Sequence, residues 1–208
     1  SKIIFNGPKE ILDDTENTQP AIFLASYAIF QVIKKETSFD IDKADFFAGH
    51  SLGEYSALAC SGVINFVETI KLLKIRGKAM QTAVPKNEGG MVAILGEEIK
   101  KIEKIIEDNK NKFNCFIAND NSNGQVVISG KIQDLEKLIS ELKNLNIKNI
   151  KLPVSAPFHC ILMNPATNVM KEKISNIKFS IPNNKIVSNV TAEPSQDPNT
   201  IKKLLIEQ

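Results

Sequence analysis

A serine occupies the centre of a G-x-S-x-G pattern, Gly49-His50-Ser51-Leu52-Gly53. Where such a turn joins a strand to a helix, it holds the serine in a strained backbone conformation and exposes the hydroxyl, and its glycines avoid clashes with the neighbouring strand and helix. The N–H of Leu52 then points at the oxyanion that forms when the hydroxyl attacks a carbonyl carbon. The pattern predicts Ser51 as a nucleophile and Leu52 as a backbone oxyanion donor. The alternative is a glycine turn that is only structural.

A serine hydroxyl is a weak nucleophile without a base, and the chain contains only 2 histidines. His50 adjoins Ser51, but neighbouring side chains diverge on an extended-to-turn backbone, so a packing or hydrogen-bonding role is predicted for His50. His159 follows in a loop rich in proline and serine and is predicted as the general base. The alternative for His159 is a loop histidine with structural hydrogen bonds only.

Arg76 is the only arginine among the 26 lysines and arginines of the chain. A guanidinium is planar and presents its donors in a fixed fork, whereas an ammonium is a compact point charge. Where lysine serves at every other basic position, a single arginine is a candidate for a role that lysine cannot fill. The equal alternative from composition is an arginine left on the surface.

The segments around the serine predict the elements that position it. Ala44–Ala48 is a short apolar run suited to a buried strand, and the residues after Gly53 are compatible with a helix. Strand, tight turn and helix form the context that a nucleophile turn requires. Further along, KIVSNV predicts a strand, and the final IKKLLIEQ predicts the start of a helix that is cut off.

Two helix starts are visible upstream of the arginine. Thr18-Gln19-Pro20 predicts a helix with Pro20 in its first turn. Asn65 and Glu68 form a capping-box pattern at the start of the helix that carries Arg76, which lies at the border of the apolar stripe.

The hydrophobic pattern changes near Met91. Short strands and amphipathic helices follow in the order β-α-β-β-α-β, with a turn-rich stretch at residues 119–124, and this order is that of a ferredoxin-like unit. We therefore predict an α/β protein in which residues 89–152 form an insertion between residues 1–88 and 153–208 of a larger domain.

Composition excludes several classes of protein. With 208 residues, 42% hydrophobic, the chain can bury a full core. The basic residues are interspersed with acidic ones and do not form the stripe of a nucleic-acid binder. Neither a membrane span nor a signal peptide is visible, and we expect a soluble protein. The 3 cysteines are expected to be reduced, largely buried thiols, and they do not form a metal-binding pattern.

Four motifs carry a resemblance to a known family. GHSLGEYSAL, IRGKAMQ, GQVVISG and PVSAPFHC occur in this order along the chain. Together they resemble the malonyl-CoA:acyl carrier protein transacylases of dissociated fatty acid synthesis, over essentially the whole chain. The resemblance implies a hydrolase-like α/β domain with a parallel sheet and a ferredoxin-like insertion. It also implies a malonyl-serine intermediate, malonyl-CoA and acyl carrier protein as partners, a monomer, and no metal or other cofactor.

The resemblance also assigns residues. The family's nucleophile falls on Ser51, its catalytic histidine on His159, and its carboxylate-binding arginine on Arg76. A backbone carbonyl that orients the histidine falls on Gln208.

Three further positions are expected near the acyl group. Phe158 resembles the phenylalanine of malonyl-selecting members, where a ring beside the acyl pocket would crowd a methyl branch, and the alternative is a ring that only packs the loop. Asn119 and Asn121 are expected to line the cleft.

Some family features are missing from the sequence. The family's GQG-type loop, which supplies the second oxyanion donor, has no counterpart before Asn6. The family's closing strand and helix are also missing beyond Gln208, so the larger domain is expected to be incomplete at both ends. These residues alone are expected to work poorly, since one lost oxyanion donor costs roughly 100- to 1000-fold in rate.

Two other functions stay open at this point. One is a serine esterase or thioesterase with the same nucleophile turn, and the other is a non-catalytic module that binds acyl carrier protein. The Lys, Asn and Ile excess suggests either a plastid-like organelle such as an apicoplast or the bacterial cytoplasm.

Overall fold

The structure is a computed structural model that describes residues 2–154 and 156–208. The chain has a mixed α/β fold and divides into two compact units. The first unit comprises residues 2–79 and Thr167–Gln208, and the second comprises Met80–Ala166 apart from Ser155. Within the part of the chain that is described, no helix is long and apolar enough to cross a membrane.

The helices and strands follow one another in a mixed order. Along the chain they are α1 (Lys2–Asn6), α2 (Lys9–Asp13), α3 (Thr15–Glu36), β1 (Phe46–Phe47), α4 (Leu52–Cys60), α5 (Phe66–Ala83), β2 (Gly89–Leu95), α6 (Ile99–Asp108), β3 (Cys115–Ser122), β4 (Gln125–Lys131), α7 (Ile132–Asn144), β5 (Lys148–Lys151), α8 (Asn164–Ser175), β6 (Lys185–Val187), β7 (Pro194–Ser195) and α9 (Pro198–Glu207). Short 3₁₀ turns occupy Ile41–Lys43 and Ile161–Met163.

A small mixed sheet and the helices around it form the first unit. The sheet order is β1-β6-β7, with β1 parallel to β6 and β7 antiparallel to it. The core of this unit consists of apolar side chains from α3, α4, α5, α8, α9 and β6, including Phe23, Tyr55, Leu58, Leu73 and Ile186. Each such fully buried side chain stabilises the fold by roughly 1.5–3 kcal/mol.

The strand before the serine is present but is not buried as predicted. It spans only Phe46–Phe47, and Phe46 is 52% exposed. Among the described residues, β1 pairs on one side only, with β6. An apolar run alone does not distinguish an edge strand from a central one.

The two predicted helix starts have different outcomes. Helix α3 begins at Thr15, so Pro20 lies inside the helix and not in its first turn. The carbonyl of Asp14 already accepts hydrogen bonds from the N–H groups of Asn17 and Thr18, which starts the helix earlier.

The capping box of α5 is confirmed. The Asn65 Oδ1 atom accepts a hydrogen bond from the Glu68 N–H at 2.9 Å, and the Asn65 side-chain amide donates to the Glu68 carboxylate at 2.6 Å. This interaction fixes the start of the helix that carries Arg76.

The second unit contains the predicted β-α-β-β-α-β order, formed by β2, α6, β3, β4, α7 and β5. Its four strands form an antiparallel sheet in the order β3-β4-β2-β5, over a core that includes Val92, Ile102, Ile128 and Leu138. The unit starts at Met80 and ends at Ala166, whereas the predicted insertion covers residues 89–152.

The turn predicted at residues 119–124 is mostly strand. Strand β3 continues to Ser122, with irregular register after Ile117 and after Asp120. Bulges let a strand contain turn-type residues without ending the pairing, so the composition of this stretch was misleading.

Helices α3 and α5 approach closely near Arg76. A Cβ atom added to Gly77 would lie 2.5 Å from both the Glu16 Cα atom and the Thr15 carbonyl oxygen. Glycine at position 77 is therefore the residue that allows α5 to contact the first turn of α3.

We predict that Gly77→Ala destabilises the full-length protein by about 1–3 kcal/mol, because the added methyl group meets backbone atoms. Gly53→Ala is the matched control, since Gly53 is also helical and its added Cβ has no described atom within 4 Å. Gly53→Ala should increase the free energy of unfolding by roughly 0.4–1 kcal/mol, because alanine lowers the conformational entropy of the unfolded chain. Urea unfolding of both variants tests this difference, and equal changes in the free energy of unfolding would contradict it.

Candidate active site

The serine turn has the strained geometry that the sequence predicts. Ser51 lies between β1 and α4 with φ 55° and ψ −111°, a conformation that non-glycine residues rarely adopt. A Cβ atom at Gly49 would lie 2.0 Å from the Gly53 carbonyl oxygen, so position 49 has no room for a side chain. Gly53 has open space around it among the described residues, so the predicted steric reason for that second glycine is wrong.

Asn189 bridges the serine turn from the loop that follows β6. Its Oδ1 atom accepts a hydrogen bond from the Ser51 N–H at 2.6 Å, and its Nδ2 atom donates to the Gly49 carbonyl at 2.7 Å. One amide side chain thus holds backbone groups on both sides of the strained turn.

The guanidinium of Arg76 lies beside the serine hydroxyl. Its Nη2 atom donates to Ser51 Oγ at 3.1 Å and to Gln208 Oε1 at 2.9 Å, and its Nη1 atom donates to Gln19 Oε1 at 2.8 Å. The guanidinium carbon lies 5.4 Å from the centre of the Tyr55 ring. Arg76 is only 6% exposed, so the alternative of a leftover surface arginine is wrong.

The hydrogen-bond partners of this buried cation are neutral. Two amides and one hydroxyl accept its hydrogen bonds, and no carboxylate of residues 2–154 and 156–208 forms an ion pair with it. Burial lowers the pKa of Arg76, while Tyr55 and Glu54 act in the opposite direction. Because a guanidinium stays charged in proteins, the site holds a positive charge that an incoming carboxylate can neutralise.

Glu54 lies on α4 and forms hydrogen bonds with two residues of this site. It is 1% exposed, and its Oε2 atom accepts hydrogen bonds from the Asn189 N–H at 3.0 Å and from Gln208 Nε2 at 2.7 Å. Its Oε1 atom is buried without a hydrogen-bond partner among the described residues. Burial is the main reason why the pKa of Glu54 is raised, and hydrogen bonds from Asn189 and Gln208 and the charge of Arg76 oppose the shift.

The remaining residues of the turn differ from one another. Leu52 is the first residue of α4, so its N–H is one of the donors that a helix N-terminus leaves without an intrahelical acceptor. His50 is exposed, and its packing or hydrogen-bonding role stays a prediction. Its backbone carbonyl accepts a hydrogen bond from the Gly53 N–H at 2.8 Å.

Two predicted residues lie in the loop before the second 3₁₀ turn, within the other unit. His159 is half-buried and has a left-handed backbone with φ 55°. Phe158 is half-buried against Met91, Ala93 and Val127, and its carbonyl accepts a hydrogen bond from the Ser129 hydroxyl. These contacts agree with the alternative that Phe158 packs the loop. Proton transfer between His159 and Ser51 stays a prediction.

The other predictions concern two asparagines and the last glutamine. Asn119 is half-buried in β3, and the exposed Asn121 donates to Gln125 Oε1 at 3.3 Å across the hairpin. Their place beside a cleft stays a prediction, as does the backbone role of Gln208. The side chain of Gln208 adds a role that sequence reasoning missed, because its two ends bind Arg76 and Glu54.

Sequence reasoning also missed Gln19, Glu54 and Asn189. Glu54 lies within the GHSLGEYSAL motif, and Asn189 lies within the predicted KIVSNV strand, where no pattern marks a polar residue as functional. Gln19 was noticed only as part of a helix start. It follows four polar residues in the sequence, and only the structure shows that it is 4% exposed.

All three cysteines are free, with Cys115 buried and Cys60 and Cys160 half-buried. Burial raises the pKa of Cys60 to about 11 and is the main cause that raises that of Cys115 to about 12, so neither is a thiolate near neutral pH. Over residues 2–154 and 156–208, no group of His, Cys, Asp and Glu side chains is suited to hold a metal ion.

Comparison with known proteins identifies the family. The model of the acyl transferase domain family matches residues 1–204, and the chain belongs to this family. It is 40% identical to the malonyl CoA-acyl carrier protein transacylase of Salmonella typhimurium over 203 residues, which cover 97% of the chain and 65% of that relative. The chain thus spans about two thirds of that protein's length.

Solved structures agree with the family assignment. The acyl-carrier-protein-S-malonyltransferase of Bartonella henselae superposes with a TM-score of 0.93 at 41% identity, covering 99% of this chain and 66% of the other. A malonyl-transacylase in complex with its type II PKS acyl-carrier protein superposes with the same TM-score of 0.93 at 37% identity, covering 99% and 66% of the two chains.

The raised pKa of Glu54 predicts a pH-dependent stability. A group with a raised pKa binds its proton more tightly in the folded state, so its contribution is complete below its ordinary pKa of 4.5 and is lost as the pH rises through the raised value. Glu54→Gln cannot titrate, so its free energy of unfolding relative to the wild type should increase from about pH 4 to about pH 8. Urea unfolding across this range measures the difference, and parallel curves would rule out the titration.

Proposed function

We propose that this chain carries the site of a malonyltransferase, which moves malonyl from malonyl-CoA to the phosphopantetheine thiol of acyl carrier protein through an ester on Ser51. The observation that carries the proposal is the buried Arg76 guanidinium, 3.1 Å from Ser51 Oγ and held by neutral groups. A malonyl group on this hydroxyl ends in a carboxylate that needs such a cation.

The chemistry of the guanidinium favours an acidic acyl group. A planar guanidinium binds both oxygens of a carboxylate through paired charge-assisted hydrogen bonds. A neutral acyl chain would leave the charge of Arg76 buried and uncompensated, which is unfavourable. The arrangement therefore selects acyl groups that carry a terminal carboxylate.

The proposed reaction has two half-reactions. His159 takes the proton of Ser51 as Oγ attacks the thioester carbon, and the Leu52 N–H donates to the oxyanion. When the tetrahedral intermediate collapses, the carbon–sulfur bond breaks and His159 returns the proton to the sulfur of coenzyme A. In the second half, the thiol of acyl carrier protein gives its proton to His159 as its sulfur attacks the malonyl ester carbon. The bond between that carbon and Ser51 Oγ then breaks, and His159 returns the proton to Oγ. The proposed chemistry uses no metal or redox cofactor.

The similar proteins support malonyl-CoA as the acyl donor and acyl carrier protein as the acceptor, and the strand order supports the finer description of the fold. The Salmonella relative is named a malonyl CoA-acyl carrier protein transacylase, and one similar structure is a malonyl-transacylase with its acyl-carrier protein. The strand order β3-β4-β2-β5 and the element order of Met80–Ala166 favour a ferredoxin-like unit inserted in a hydrolase-like α/β domain. The proposed state is a monomer, and the bacterial origin of these relatives favours the bacterial cytoplasm over a plastid-like organelle.

The two other functions fit the site less well. A serine esterase or thioesterase for neutral acyl groups has no use for a buried cation beside the nucleophile. A non-catalytic carrier-binding module has no use for a strained serine whose hydroxyl accepts a hydrogen bond from that cation.

Arg76→Ala in the full-length protein tests the proposal. Malonyl transfer to acyl carrier protein should fall by about 100- to 1000-fold in kcat/KM, since a buried charge loses its partner. Acetyl transfer should fall far less, so the malonyl preference should be lost. Arg76→Lys keeps the charge without the fork and should recover only part of the preference. A malonyl preference that persists in Arg76→Ala would refute the carboxylate assignment.

Gln19→Glu tests whether the neutral partners of Arg76 matter. An internal carboxylate 2.8 Å from Nη1 would compete with malonyl, so the ratio of malonyl to acetyl kcat/KM should fall by about tenfold or more. Gln31→Glu is the matched control, because it makes the same change on α3 about 18 Å further along the helix axis. Steady-state kinetics with both thioesters measures the ratio. Equal ratios in the two variants would contradict the idea that Arg76 must stay uncompensated.

A further inference from the structure

A buried oxygen of Glu54 connects the serine turn to the residues around the Arg76 guanidinium. Glu54 Oε2 accepts one hydrogen bond from the Asn189 N–H and one from Gln208 Nε2, at 3.0 and 2.7 Å. The side chain of Asn189 accepts a hydrogen bond from the Ser51 N–H, and Gln208 Oε1 accepts one from Arg76 Nη2. Glu54 Oε2 therefore holds both Asn189, which contacts the serine turn, and Gln208, which contacts the guanidinium.

Asn189 and Gln208 also form hydrogen bonds with the backbone of Ser51. The Ser51 N–H donates to Asn189 Oδ1 at 2.6 Å, and the Ser51 carbonyl accepts from Gln208 Nε2 at 3.2 Å. The backbone groups of Ser51 on both sides are thus tied to side chains that Glu54 anchors. A strained conformation such as φ 55° persists only where its surroundings hold it in this way.

The burial of Glu54 is difficult to explain by stability alone. The residue is 1% exposed, and its Oε1 atom is buried without a partner among the described residues. Leaving a buried polar atom without a hydrogen bond costs free energy, and an apolar residue of similar size would avoid that cost. The polar side chain at this place therefore has a use that packing does not supply.

We propose that Glu54 is a positioning residue for the nucleophile, whose Oε2 atom fixes Asn189 and Gln208 and through them the backbone and hydroxyl of Ser51. Glu54 acts as a hydrogen-bond acceptor and does not touch the substrate. This inference rests on the proposed function only in taking Ser51 as the nucleophile.

The test measures the reactivity of Ser51 without malonyl. An alkyl fluorophosphonate reacts with an activated serine: the Oγ–P bond forms, the P–F bond breaks, fluoride leaves, and the hydroxyl proton goes to the base. The second-order labelling rate of full-length protein is measured for the wild type and for Glu54→Met and Glu54→Gln, with the label located by peptide mass spectrometry. Glu36→Met is the matched control, since it removes an exposed carboxylate of the same unit.

Glu54→Met should label Ser51 about 10- to 100-fold more slowly than the wild type, because small displacements of reacting groups cost this much. Glu54→Gln keeps an acceptor oxygen and should restore most of the rate, and Glu36→Met should label at the wild-type rate. Labelling of Glu54→Met at the wild-type rate would overturn the inference. Equal slowing in Glu54→Met and Glu54→Gln would also overturn it, because the charge and not the acceptor would then be needed.

Folding and the proposed function are controlled separately. If Glu54→Met does not fold, Asn189→Ala keeps the backbone N–H that binds Glu54 but removes the side-chain amide through which this hold reaches Ser51. That variant must also label slowly, and a normal rate there would overturn the inference. If the wild type is not labelled at Ser51, the nucleophile assignment fails, and the inference fails with it. A wild type that labels at Ser51 while the Glu54 variants do not differ from it leaves the proposed function intact and refutes the role of Glu54 alone.

Discussion

The structure of the site depends on a guanidinium that is buried beside a hydroxyl and forms no ion pair with a carboxylate in the described part of the chain. Taking a cation out of water is unfavourable unless hydrogen bonds replace its hydration. Arg76 obtains these hydrogen bonds from Gln19, Gln208 and Ser51, which lie on three different segments of the first unit. The site is stable enough to form, yet its charge is left for a ligand to neutralise.

This requirement explains several features of the surrounding fold. The close approach of α3 to α5 at Gly77 brings Gln19 within hydrogen-bond distance of the arginine in the neighbouring position. The end of α9 supplies Gln208, and α4 begins at the serine turn. The cation and the nucleophile are therefore positioned by helix ends and helix contacts, with the small sheet supporting the turn.

The sequence was most informative where a local pattern of residues is compatible with few structures. The strained serine turn, the capping box of α5 and the β-α-β-β-α-β order could all be predicted, because each follows from local pattern or from backbone geometry. The burial of Phe46 and the start of α3 were predicted wrongly. Strand burial depends on tertiary structure, whereas α3 starts early through local hydrogen bonds to the Asp14 carbonyl, upstream of the proline that was taken as the start. A single arginine could be singled out by counting, but its partners could not.

The residues that surround the arginine were missed for a physical reason. Glu54, Asn189 and Gln19 act through contacts between segments that are far apart in the chain, by as many as 154 positions between Glu54 and Gln208. Each is an ordinary polar residue in its local sequence, and only burial together with hydrogen bonding marks it as part of the site. Long-range polar networks of this kind leave little trace in local periodicity.

The central claim is that the guanidinium of Arg76 receives the carboxylate of an acyl group carried by Ser51. A crystal structure of the full-length protein after reaction with malonyl-CoA tests this most directly. The account predicts continuous density from Ser51 Oγ into a malonyl ester, with both carboxylate oxygens about 2.7–2.9 Å from guanidinium nitrogens of Arg76. A malonyl ester whose carboxylate is bound elsewhere, or an adduct on a different residue, would contradict it.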